Sequence, residues 1–184
     1  MNRKATAGIA ALCLLLTAGC SSSQQTPQAK ARPSAPVHTF AGGCAGTVLT
    51  DAEPPQWSQG GWTVAKGSPW PVPWAIGAQG NAVAFLFADE LVAGGSPRVN
   101  GSNNKVLWMV KDSPMSFVVQ GTPLGKTEPV VSVAGGPSIV DVPTPGCWRF
   151  RVLWGTTDPA GSSIINLEAL PAGSLQPSSQ RSEY

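Results

Sequence analysis

Glycine and proline punctuate this chain so closely that it has room only for short elements. Together the 21 glycines and 18 prolines fill about a fifth of its 184 positions, below the ~25–30% typical of low-complexity chains. Runs rich in valine, isoleucine and tryptophan lie between them. Proline removes a backbone donor and glycine favours turns, so long helices are excluded and short strands joined by turns are the natural outcome. Hydrophobic residues make up 42% of the chain and charged residues 12%. That composition supports a single core of about 130 residues under a sparsely charged surface.

Seven strands can be placed directly. The run 82–87 (AVAFLF) is apolar at every position, as a central strand should be, and 105–111 (KVLWMVK) is similar with charged ends. Shorter candidates are 115–120 (MSFVVQ), 129–134 (PVVSVA) and 138–142 (SIVDV). The segment 147–154 (CWRFRVLW) alternates most cleanly. Period two puts Trp148, Phe150, Val152 and Trp154 on a core face and Arg149 and Arg151 toward solvent. A last strand spans 163–170 (SIINLEAL). Asn100-Gly101, Gly135-Gly136-Pro137 and the 143–146 turn (PTPG) separate these runs. Strands at this spacing point to an all-β fold, a sandwich of about seven to eight short strands.

The first twenty residues carry a different signal. Arg3 and Lys4 precede an apolar stretch from Ala5 to Thr17. Thirteen residues at ~1.5 Å each cannot cross a ~30 Å hydrocarbon core, so this is an export segment and not a membrane span. Its end, Leu16-Thr17-Ala18-Gly19-Cys20, resembles the lipobox of bacterial lipoprotein signal peptides, with Thr17 where leucine is commoner. The resemblance implies a diacylglyceryl group on the Cys20 sulfur, cleavage before Cys20, and a protein held on the extracytoplasmic face of the cell membrane. Two or three acyl chains make such anchoring effectively permanent.

Four units are therefore expected: a signal peptide over 1–19, a lipid-anchored disordered N-terminal tether over 20–38, the β domain over 39–170 and a disordered tail over 171–184. The tether sequence SSSQQTPQAKARPSAPV lacks apolar periodicity and cannot offset the entropy of ordering. It spans roughly 25 Å. Without Arg3 and Lys4 the remaining chain has ten basic and ten acidic residues. No basic patch suited to a phosphate backbone is visible, which argues against nucleic acid as a partner.

Of four cysteines, Cys13 leaves with the signal peptide and Cys20 takes the lipid. Cys44 and Cys147 remain, and in an oxidising compartment they are expected to form a disulfide. The segments NKVLWMV and SIVDVPTPGCWRFRVLWG resemble those of small exported bacterial proteins and lipoproteins of uncharacterised function. The likeness covers roughly Val83 to Leu167. It implies an immunoglobulin-like sandwich in the same compartment and supplies no catalytic residues.

Chemical motifs are weak. The segment 121–127 (GTPLGKT) has one residue too few between its glycines for a phosphate loop, and Glu128-Pro129 follows where a helix must begin, so it reads as a turn. Ser102-Asn103-Asn104-Lys105 matches S-x-x-K, but it lies in a loop and its partner motifs are missing. Asp89 and Glu90 are adjacent and would diverge on an extended chain. Asp51 and Glu53 could share a face, yet as loop acids before Pro54-Pro55 they read as solvated. With one histidine, His38, no metal or cofactor is expected.

Seven tryptophans stand out. Trp108, Trp148 and Trp154 lie in strands and should be core. Trp57, Trp62, Trp70 and Trp74 fall in the Gly/Pro-rich run QWSQGGWTVAKGSPWPVPWAIG. Either Trp70-Pro71-Val72-Pro73-Trp74 presents rings that stack on a sugar, a peptide or an apolar ligand, or the run folds back and caps an open end of the sandwich. The second is favoured. The expected function is a non-enzymatic binding module for a cell-wall component or partner protein, contacted through Trp57 to Trp74. An enzyme using Asp51 and Glu53 on envelope polymers, and a structural accessory that pairs by a sheet edge, are the alternatives.

Overall fold

The computed structural model describes residues 36–88, 90–98, 100–112, 116–155 and 161–174. The signal peptide, Cys20, nearly all of the tether and the last ten residues lie outside them. The chain is all-β, with two sheets among these residues. Sheet A has the order β1 (Thr39–Phe40), β2 (Leu49–Thr50), β3 (Trp74–Ile76), β4 (Ala82–Leu86), β6 (Lys105–Val110) and β9 (Gly136–Ile139), with β5 (Leu91–Val92) assigned to the other sheet. Sheet B has the order β5, β11 (Gly161–Leu170), β10 (Gly146–Trp154), β7 (Phe117–Pro123) and β8 (Val131–Ala134). Eleven strands are thus present among the described residues where about seven to eight were expected. The extra ones, β1, β2, β3 and β5, are two or three residues long, too short to leave a periodicity. No helix among the described residues is long and apolar enough to cross a membrane.

Alternation in β10 sets the shared core. Trp148, Phe150 and Val152 are buried, Arg149 and Arg151 point the other way, and Trp154 packs half-buried at the core's end. Inward residues of sheet A (Ala82, Ala84, Leu86, Val106, Trp108) meet those of β10 and of β11 (Ile165, Leu167) in one cluster. The Trp108 and Phe150 rings stand 5.5 Å apart, a favourable tilted contact between the sheets. The Cys44–Cys147 disulfide ties the segment after β1 to β10 across 103 residues.

Two sequence readings are corrected here. The turn placed at Gly121–Thr127 starts later, because β7 continues through Pro123. Gly121 lies opposite Phe150 in the register, and a Cβ there would come within 2.8 Å of that ring. This glycine makes room for an aromatic neighbour and does not break the strand. The strand expected at 138–142 instead begins at Gly136. There the chain passes from β8 in sheet B to β9 in sheet A, with Gly136 at φ +81° and Gly135 beneath the Phe117 ring.

The outer edge of β11 is closed along its length. Ile164 donates to Gln79 Oε1 at 2.9 Å and accepts from Ala78 N–H. Asn166 N–H donates to Thr47 Oγ1 at 2.9 Å, its carbonyl accepts from Cys44, and Glu168 N–H donates to Gly42. Leu170 O accepts from Ala93 beside β5. Exposed edges invite pairing with other chains, and this one is used up internally.

Candidate functional site

β4 explains the tryptophan-rich connection. Its apolar run is two-sided: Ala82, Ala84 and Leu86 enter the shared core, while Val83 and Phe85 point out of sheet A and are also fully buried. Residues 52–72, together with Trp74 of β3, supply the cover. Trp70 and Trp74 are each 7% exposed and pack on Phe85, with centroids at 6.1 and 6.4 Å. Of the two readings, exposed presentation of Trp70 and Trp74, the less favoured one, does not hold. The run folds back and buries them, as favoured, but the rings cover the outer face of a sheet, not an end of the sandwich. The cause is β4 itself, whose second apolar face would otherwise meet water.

The anchoring of this layer is specific. Trp74 Nε1 donates to Ala52 O at 2.7 Å, and Trp70 N–H donates to Asp51 O at 2.7 Å. A single 3-10 turn, Gln56–Ser58, holds buried Ser58, whose hydroxyl donates to Pro55 O. Trp57 and Trp62 are half-buried partners of the layer.

Trp62 marks the boundary between cover and open sheet. It stacks on Phe87 at 5.8 Å with planes 18° apart and touches Phe85 and Trp70 from the same position. Phe87 is 43% exposed, and Lys105 Nζ lies 4.9 Å from its ring centre. The register places the outward residues beside it: Leu107 next to Pro137, and Lys105 next to Ile139, itself 49% exposed. The tryptophan layer covers the β3–β4 half of the outer face, and Leu107 and Met109 of β6 pack half-buried against its edge. Beyond them Phe87, Lys105, Pro137 and Ile139 form an exposed strip, walled on one side by Trp62. Sequence reasoning missed Phe87, Lys105 and Ile139, although the even spacing of Lys105, Leu107 and Met109 already put them on one face.

Asp51 is not a solvated loop acid: it is 6% exposed. His38 donates its backbone N–H to Asp51 Oδ1 at 2.8 Å, and its Nδ1 lies 2.7 Å from Oδ2. Both carboxylate oxygens are spent on one residue, and Glu53 is exposed and accepts from Gln59. The two acids do not converge. A histidine oriented by an aspartate is also a feature of hydrolytic sites, but here the same carboxylate holds the histidine's backbone, as in a clasp. Asn104 of the S-x-x-K match is buried, and its amide joins Val92 of β5 to Asp141. It is structural. No three His, Cys, Asp or Glu residues cluster as a metal site among the described residues.

A scan of protein-family models, a search of curated proteins and a search of solved structures each return no match.

Proposed function

We propose that this chain is a lipid-anchored envelope protein, held at the extracytoplasmic face through Cys20, that presents an immunoglobulin-like β-sandwich as a non-enzymatic binding module. The N-terminal sequence supports the anchor: a basic start, thirteen apolar residues and the ending LTAGC. The two-sheet core and the Cys44–Cys147 bridge support the sandwich. The observation that carries the binding role is the strip beside Trp62. Apolar side chains clustered at the surface around a stacked aromatic pair and a single ammonium form a contact surface of the kind that binding proteins use. The ligand class is a cell-wall component or a partner protein with an apolar face.

Sedimentation with purified cell-wall material tests this reading. The wild-type protein is expected to co-sediment, and Trp62→Ala/Phe87→Ala to remain in solution with its fold intact. Equal sedimentation of the two, or none of either, overturns the wall-binding form. For the anchor, Cys20→Ala is expected to abolish incorporation of labelled fatty acid; equal incorporation would end the lipoprotein reading.

A further inference from the structure

The opposite face of the molecule has a different character. β10 directs Arg149 and Arg151 outward from the middle of sheet B. The register sets Asn166 and Thr122 beside Arg149, and Ile164 and Gln120 beside Arg151. Arg151 is exposed, and Arg149 is half-buried beside Thr122, itself buried at 5%. Among the described residues neither guanidinium has a carboxylate within 4.0 Å. Asn166, directly across from Arg149, keeps an unpartnered Oδ1, so neither satisfies the other. The acid on these rows, Glu168, is paired in register with Cys147 at the end of the face. Exposed valine and leucine flank the pair: Val118 at 42%, Leu124 at 44% and Val130 at 59%.

Arginine is weakly hydrated and matches oxyanions with a planar fork of donors. Two free guanidiniums on alternate residues stand about 7 Å apart along a strand, so they address two anionic groups and not one. The apolar side chains on either side gain by leaving bulk water. We propose that the outer face of sheet B rests on the anionic phosphate headgroups of the membrane that anchors the chain. The proposal rests on the lipid-anchor reading of Cys20. A basic residue near an anionic surface changes occupancy roughly five-fold, and two change it roughly 25-fold. That is too little to recruit a free protein, but a tether of roughly 25 Å keeps the headgroups at high effective concentration. With sheet B against the membrane, the strip beside Trp62 on sheet A faces away from it, toward the wall.

The full lipidated chain is reconstituted into vesicles of phosphatidylcholine alone or mixed with phosphatidylglycerol, after intact mass has verified the lipid on Cys20. A bulky maleimide then reads the accessibility of Ser132→Cys, beside Gln120 in the register, and of Ile139→Cys on sheet A. Ser132→Cys is expected to react several-fold more slowly on the anionic vesicles. The rate returns with high salt or with Arg149→Gln/Arg151→Gln, while Ile139→Cys reacts alike on both. Equal rates for Ser132→Cys on the two vesicles, or equal slowing of both positions, overturn the proposal. If intact mass finds no lipid, the anchor reading fails by itself. The chain is then held on the same vesicles by an N-terminal His tag and a nickel-chelating lipid; slower reaction of Ser132→Cys than of its Arg149→Gln/Arg151→Gln version supports the headgroup surface, and equal rates overturn it.

Discussion

Two neighbouring tryptophans of equal burial should respond differently to the same substitution. Trp74 Nε1 donates to Ala52 O, whereas buried Trp70 Nε1 has no partner among the described residues. Phenylalanine removes the N–H from each and leaves most of the ring. At Trp74 the change orphans a carbonyl and is expected to cost about 1–3 kcal/mol from the hydrogen bond alone. At Trp70 no bond is lost, so Trp70→Phe should cost less in urea unfolding; the opposite order contradicts the packing described here. Trp148 is 1% exposed, and its Nε1 donates to Thr144 O at 2.9 Å. Trp148→Ala is expected to cost roughly 3–5 kcal/mol through the cavity left behind, a large share of the ~5–15 kcal/mol holding a domain of this size.

At the scale of strands, glycine positions carry information that composition alone hides. Gly121→Ala should cost about 1–3 kcal/mol by overpacking, because its Cβ would meet Phe150 Cε1 at 2.8 Å. In a Phe150→Leu background the same change should cost less, and equal costs measured by chemical unfolding would show that the ring is not what selects glycine. Such a pairing is invisible to sequence reading, which sees Gly121 and Pro123 as breakers. Where the hydrophobic pattern is strong the sequence is legible. The alternation of Trp148, Phe150 and Val152 and the two-sided run of β4 both translate directly into buried positions. β1, β2, β3 and β5 are illegible because pairing partners make them, not local propensity. His38 and Asp51 belong with them, since thirteen residues separate them and only the β1–β2 pairing brings them together.

For the whole molecule, the second apolar face of β4 needs a cover on sheet A, and the tryptophans of one Gly/Pro-rich run supply it. Their fate was not legible. A Pro-rich aromatic segment packs or presents its rings according to the apolar surface available to it, which depends on the sheet already formed. The disulfide closes a loop with a separation of 103 residues. The chain-entropy model gives about 4.7 kcal/mol as the upper value for such a loop. Reduction should lower the unfolding midpoint markedly, and denaturation without reductant should release no thiol from Cys44 or Cys147. The account as a whole turns on which aromatic rings the molecule shows to water. Hydroxyl-radical footprinting, read residue by residue by mass spectrometry, measures that directly. Trp62 and Phe87 are expected to be oxidised readily, with Trp70, Trp74, Trp108 and Trp148 protected until the protein unfolds. Protection of Trp62 and Phe87 to the level of Trp108 would remove the proposed binding surface, and rapid oxidation of Trp70 and Trp74 would contradict the second apolar layer on sheet A.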